Sequence, residues 1–138
     1  MTSLRLVSTL PPDLEDLVQR TIRALLDVHR ELGSGLSESV YAAAVQLELE
    51  ARGIPFESEK TVPVRYKGRL IGHHRIDLLV DRRLVVEIKS VESIHSVHVA
   101  QVVSYLRLTG AQIGLLVNFN VEWLTRHGIK RVVHNFPE

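Results

Sequence analysis

Three charged side chains stand where a buried strand normally excludes them. Asp77 lies among Ile76, Leu78, Leu79 and Val80, and Glu87 and Lys89 lie within the run Leu84-Val85-Val86-Glu87-Ile88-Lys89-Ser90. A buried charge without a partner is costly, so this placement asks for compensation. Glu87 and Lys89 are two apart, which on a strand projects both from one face and turns Val86 and Ile88 to the other. Asp81 and Arg82 read as a tight turn that folds the Asp77 strand back beside the Glu87 strand, so that the two carboxylates converge. Converging carboxylates suit Mg²⁺ or Mn²⁺, hard ions that prefer oxygen ligands. Such an ion acidifies a water and offsets charge on a phosphoryl oxygen. A neighbouring lysine can orient that water or stabilise the transition state.

The elements that must position these residues follow from pattern. Residues 1–10 read as a short strand or a loose arm. Pro11, Pro12 and Asp13 mark a helix start, and Leu14, Leu17, Val18, Ile22, Leu25, Leu26 and Leu32 keep a three-and-four spacing until Gly33 and Gly35. A second helix runs from near Ser37 to Arg52, stopped by Gly53 and Pro55. Residues 56–90 read as three strands in meander order, with turns at Lys67-Gly68 and Asp81-Arg82. A third helix is expected from about Ile94 to Leu108, closed by Gly110. Residues 113–119 then form an almost wholly apolar run, suited to a strand buried on both faces. A helical turn around Val121–Arg126 and a last strand from Ile129 complete the order α-α-β-β-β-α-β-(α)-β, an α/β domain with a central mixed sheet flanked by helices. With 138 residues the chain is expected to be one domain.

The Asp77…Glu87-Ile88-Lys89 arrangement resembles the signature of PD-(D/E)xK nucleases. Gly35-Leu36-Ser37-Glu38-Ser39-Val40-Tyr41 fits the pattern that names the GxxExxY proteins, a branch of that superfamily, and Gln101-Val102-Val103-Ser104-Tyr105 resembles the QxxxY motif of RecB-like nucleases. The run from Thr109 to Phe136 is also similar to the C-terminal part of GxxExxY proteins, so the resemblance spans roughly residues 14–136. The ExK triplet alone is weak; four motifs in the family's order are strong. The resemblance implies a restriction-endonuclease-like fold and a nuclease acting on DNA ahead of RNA. It implies Asp77 and Glu87 as ligands of Mg²⁺ or Mn²⁺, with Glu38 reaching the metal directly or through water. Lys89 is then the catalytic lysine, and Gln101 and Tyr105, on one helical face, position Lys89 or substrate. His73-His74-Arg75 precedes Ile76-Asp77, so the proline of a Pro-Asp pair is absent.

Plainer readings stand beside these. Asp77 can end a strand or pair with Arg75 or Arg82, and Glu87 and Lys89 can form a solvated surface pair. Glu38 suits the first turn of a helix, Tyr41 suits a core, and Gln101 and Tyr105 can satisfy buried backbone groups. His95 and His98 make no complete zinc-binding spacing, and His98 is expected at the surface. Arg65, Lys67 and Arg69 flank a turn, and Lys130 and Arg131 begin the last strand; all are candidates for phosphate contact, with Arg65 and Lys67 foremost. The balance of 17 basic and 16 acidic residues does not by itself advertise nucleic-acid binding. The absence of cysteine excludes disulfides, zinc–thiolate sites and cysteine nucleophiles, and agrees with the expected cytoplasmic location. No signal peptide or membrane span is read. A homodimer is one way for so short a chain to hold long DNA. The competing function is a non-catalytic nucleic-acid- or protein-binding module of the same fold, and a third is a structural subunit assembling through residues 113–119.

Overall fold

The computed structural model describes residues 10–134, so the expected N-terminal arm and the chain beyond His134 lie outside the described residues. Helix α1 (Pro12–Leu32) starts with a proline that needs no amide partner in the first turn. It buries Leu14, Leu17, Val18, Thr21, Ala24, Leu25 and Val28 along one stripe. Helix α2 (Glu38–Ala51) buries Tyr41, Val45 and Leu49. Three antiparallel strands follow, β1 (Phe56–Tyr66), β2 (Arg69–Val80) and β3 (Leu84–Lys89). Helix α3 (Ser96–Thr109) carries the chain to β4 (Ile113–Asn118), which pairs parallel to β3, as a crossover helix allows. One wide π-type turn, Leu124–Gly128, leads to β5 (Ile129–Val133), antiparallel to β4. The sheet order is β1-β2-β3-β4-β5. This is the expected mixed sheet flanked by helices.

Each face of the sheet has its own core. Leu78, Val80, Leu84, Val86, Ile88, Leu115 and Val117 pack with α1 and α2. Ile76, Leu79, Val85 and Leu116 pack with Val102, Tyr105 and Leu106 of α3. β4 is buried along its whole length, which explains its unbroken apolar run. Two cross-links hold α1 against the sheet: Arg131 forks onto Glu15 at 2.8 and 2.6 Å, and Arg83 meets Asp13 at 2.7 Å. The third helix starts at Ser96, two residues after Ile94. His95 caps it, its backbone N–H donating to His98 Nδ1 at 2.9 Å.

Candidate functional site

β2 and β3 part company at Asp77. Their ladder runs from Val80↔Leu84 to Leu78↔Val86 and stops there, while β2 continues with β1 alone out to the turn at Lys67-Gly68. Side chains take over where backbone pairing ends. The Ile88 N–H donates to Asp77 Oδ2 at 2.8 Å, and the Asp77 N–H donates to Glu87 Oε1 at 3.4 Å. The alternation of β2 slips at the same place, for Ile76 and Leu78 belong to the cores on opposite faces of the sheet. Glu59, across from Asp77, has φ +51° and drops out of the β1–β2 register. The result is a fork between strands with two carboxylates in its crotch.

A second layer closes around the fork. Glu38 is the first residue of α2, and its Oε2 accepts from the Ser90 N–H at 3.2 Å, one residue beyond Lys89. Ser90 Oγ donates to the Leu36 carbonyl at 2.6 Å. The loop before Glu38 is held from inside: Tyr41 is fully buried, stacks on Phe119 at 4.4 Å, and its hydroxyl donates to the Gly33 carbonyl and accepts from the Leu36 N–H. Gly35 has φ +100°, a backbone that side chains resist. Gly35, Glu38 and Tyr41 therefore form one device, in which glycine bends the loop, tyrosine holds it and glutamate reaches the end of β3. On the α3 side, Lys89 Nζ donates to Gln101 Oε1 at 3.2 Å and lies 3.9 Å from Glu87 Oε2.

Burial sets the electrostatics. Glu87 is only 5% exposed. Desolvation first, and the charge of Asp77 second, push its carboxyl up to about 7, against the pull of the Asp77 N–H and Lys89. Asp77 is raised as well, by burial, with the Ile88 N–H and Lys89 opposing and Glu38 adding to the rise. Tyr105 is pushed up to about 12 by burial and then by the charges of Glu87 and Asp77. A groove of about 230 Å³, lined by Glu38, Ser39, Gln46, Glu59, Arg75 and Asp77, opens from the fork along α2.

Over residues 15–132 the sequence matches the family described as the PD-(D/E)XK nuclease superfamily. The chain belongs to that superfamily. No curated protein matches it. Among solved structures it is similar to one described as "Crystal structure of SSO0001", with a TM-score of 0.55 and 20% identity, covering 72% of this chain and 50% of that one. The likeness is one of fold, and the chain spans half the length of that protein.

PD-(D/E)XK nucleases typically use divalent metals, and the donor set here fits one. Asp77, half-buried, and Glu87, buried, offer oxygens that resist ionising, which is the electrostatic condition a cation relieves. Among the described residues no group of three or more acidic or histidine side chains is arranged to hold a metal by itself. Mg²⁺ is ordinarily held by one or two carboxylates, with waters and substrate phosphate completing its shell, so a carboxylate pair suffices.

Glu38, Asp77, Glu87, Lys89, Gln101 and Tyr105 thus come together. Arg65 and Lys67 do not: they stand near the tip of the β1–β2 hairpin, away from the carboxylates. Arg131 is committed to Glu15. A larger cleft, of about 510 Å³, lies between the end of α1 and residues 121–125, where the His29 ring is bonded to the Val121 carbonyl. Sequence reasoning missed Asn118. It is 2% exposed and pairs with Lys89 across β3–β4. Its Oδ1 accepts from the N–H groups of Val91 and Asn120 at 3.1 and 3.2 Å, and its Nδ2 donates to the Val91 carbonyl at 3.0 Å. The signal was a lone amide in an apolar strand. Arg75 lines the groove beside Asp77, a placement that the sequence pattern, which offers it only as a neutralising partner, does not show.

Proposed function

We propose that the chain is a single-domain, metal-dependent nuclease of the GxxExxY branch that hydrolyses phosphodiester bonds, with DNA as substrate and the cytoplasm as its location. The observation that carries the reading is the strand fork, where the buried Glu87 and the half-buried Asp77 exchange bonds across the strands beside Lys89. Asp77 and Glu87 are assigned as the ligands of Mg²⁺ or Mn²⁺, and Glu38 as an outer carboxylate acting through water. The ion, when bound, supplies acidified water and offsets phosphoryl charge.

The chain's own residues do the rest. Lys89 presents an ammonium beside the fork, where it can orient the attacking water or meet charge on the phosphoryl oxygens. Gln101 holds Lys89 Nζ, and so is assigned as a positioning residue. Tyr105 stays protonated at neutral pH and can donate to substrate oxygen. Arg75 lines the groove leading to Asp77 and offers a cation to an entering phosphate.

The test is cleavage of single- and double-stranded DNA by the purified protein in Mg²⁺ or Mn²⁺, with Glu87→Gln and Lys89→Met alongside. Both variants are expected to lose activity by roughly a hundredfold or more. Lys89→Met is also expected to keep Mn²⁺ binding by calorimetry, while Glu87→Gln weakens it. Equal cleavage by wild type and Glu87→Gln would remove the proposal. Metal binding with no cleavage would favour the non-catalytic module.

A further inference from the structure

We infer that the β1–β2 hairpin is a DNA-gripping arm, a two-stranded ribbon that engages B-form duplex beside the carboxylate fork. The inference takes its substrate class from the nuclease reading but rests on different residues.

Charge is the first observation. Residues 60–75 contain Lys60, Arg65, Lys67, Arg69 and Arg75 and no aspartate or glutamate. The remainder of the chain is left with twelve lysines and arginines against sixteen carboxylates. The near-neutral total therefore hides one cationic limb on an acidic body. Lys60 and Arg75 meet Glu57 and Glu59 at 3.2 and 4.0 Å, but Arg65, Lys67 and Arg69 have no carboxylate partner among the described residues. Three unneutralised cations at one tip complement a phosphate backbone.

Shape is the second. Beyond the point where β3 drops away, β2 runs from Asp77 out to Arg69 paired only with β1. At about 3.3 Å per residue this is a ribbon of roughly 27 Å. The tip is a tight turn with Lys67 and Gly68 at φ +50° and +78°, and the register shift at Val64/Arg65 adds local twist. One face leans on α3: Val62 is buried, and the His74 ring lies 5.9 Å from Tyr105. The other carries Ile71, His73 and Arg75, all exposed, and Arg75 lines one groove with Asp77. A molecule lying along that face is led to the carboxylates. Pro63 denies β1 an amide donor, which weighs against pairing with a partner's strand on this outer edge.

The chemistry selects the nucleic acid. The major groove of B-DNA admits a two-stranded ribbon, whereas that of A-form RNA is too deep and narrow for side-chain entry. Single strands are gripped by successive aromatic platforms. This hairpin offers one exposed tyrosine, Tyr66, with Lys67 Nζ 5.6 Å from its ring.

The experiment is anisotropy of a short fluorescent DNA duplex, with single-stranded DNA and duplex RNA of the same sequence. Metal-free protein is titrated between about 50 and 200 mM salt. The triple variant Arg65→Ala/Lys67→Ala/Arg69→Ala is expected to bind the DNA duplex at least about tenfold more weakly. Its log K against log salt should be shallower by roughly 2.7, about 0.9 for each lost phosphate contact. Arg65→Lys/Arg69→Lys keeps the charge and should keep the slope, which separates charge from damage to the fold. An unchanged slope in the triple variant overturns the inference, as does equal or tighter binding of single-stranded DNA or duplex RNA. Hairpin-dependent duplex binding without cleavage under any metal leaves the inference standing and removes the nuclease reading, so the two fail separately.

Discussion

Replacing Glu87 by glutamine should make the metal-free protein more stable at neutral and alkaline pH while weakening its hold on the cation. The glutamate carboxyl is pushed up to about 7 in the folded chain from a reference of 4.5, by burial and by Asp77 beside it. A carboxyl with a raised folded-state pKa holds its proton longer folded than unfolded. Stability is therefore lost as pH rises from about 4.5 to about 7 and stays lower above that window. At about 1.4 kcal/mol per unit, the lost stability at pH 8 has an upper bound of about 3.5 kcal/mol. Glutamine keeps the shape and the acceptor for the Asp77 N–H and cannot ionise. For a chain of this size the gain corresponds to as much as roughly 10 °C in Tm. The assay is calorimetric or circular-dichroism melting of chelator-treated wild type and Glu87→Gln at steps from pH 4.5 to 8.5. The difference between the two should open through the window and then level off. Mn²⁺ at pH 8 should raise the wild-type Tm and move the variant little. A difference that is flat with pH, or a variant uniformly less stable than wild type, refutes the claim that burial strains this carboxylate.

Two further predictions concern the support of the site. Asn118→Ala leaves the N–H groups of Val91 and Asn120 without their acceptor, while the Val91 carbonyl keeps Asn120 Nδ2, and should cost about 2–3 kcal/mol in denaturant unfolding; a loss below about 0.5 kcal/mol would show that the turn after Lys89 does not depend on it. Gly114→Ala would place a methyl 2.6 Å from Val102 Cγ1 on α3 and should cost about 1–3 kcal/mol, largely recovered in the double variant with Val102→Ala; additive losses in that cycle would locate the strain elsewhere.

Most of the frame could be read from residues in a row. The bounds of β1 and β2 follow from β-branched runs that end at Lys67-Gly68, a turn whose backbone is left-handed at both positions. Glu87 and Lys89 share a side because strand geometry gives them no choice. The fork was not legible. Strict alternation places Ile76 and Leu78 on one face, whereas Asp77 accepts a backbone amide from β3 and the strand rotates past it. That bond joins residues eleven apart across two strands, so no local pattern announces it. The delayed start of α3 has a similar cause, since the bond from the His95 amide to the His98 ring is a choice among caps. The helical turn expected at Val121–Arg126 forms instead at Leu124–Gly128, where Gly128 fits against Leu124 and the Asn118 carbonyl with no room for a side chain. Of the two basic groups singled out by position, Arg131 turns inward to Glu15, while Arg65 and Lys67 meet no carboxylate among the described residues.

The same atoms that converge in the fork also fasten the projecting hairpin to the sheet. With the ladder ended at Leu78↔Val86, the next rungs are the bonds from Ile88 to Asp77 and from Asp77 to Glu87. A load on the outer limb is thus transmitted to those two carboxylates, and any change in their charge alters how firmly the limb is anchored.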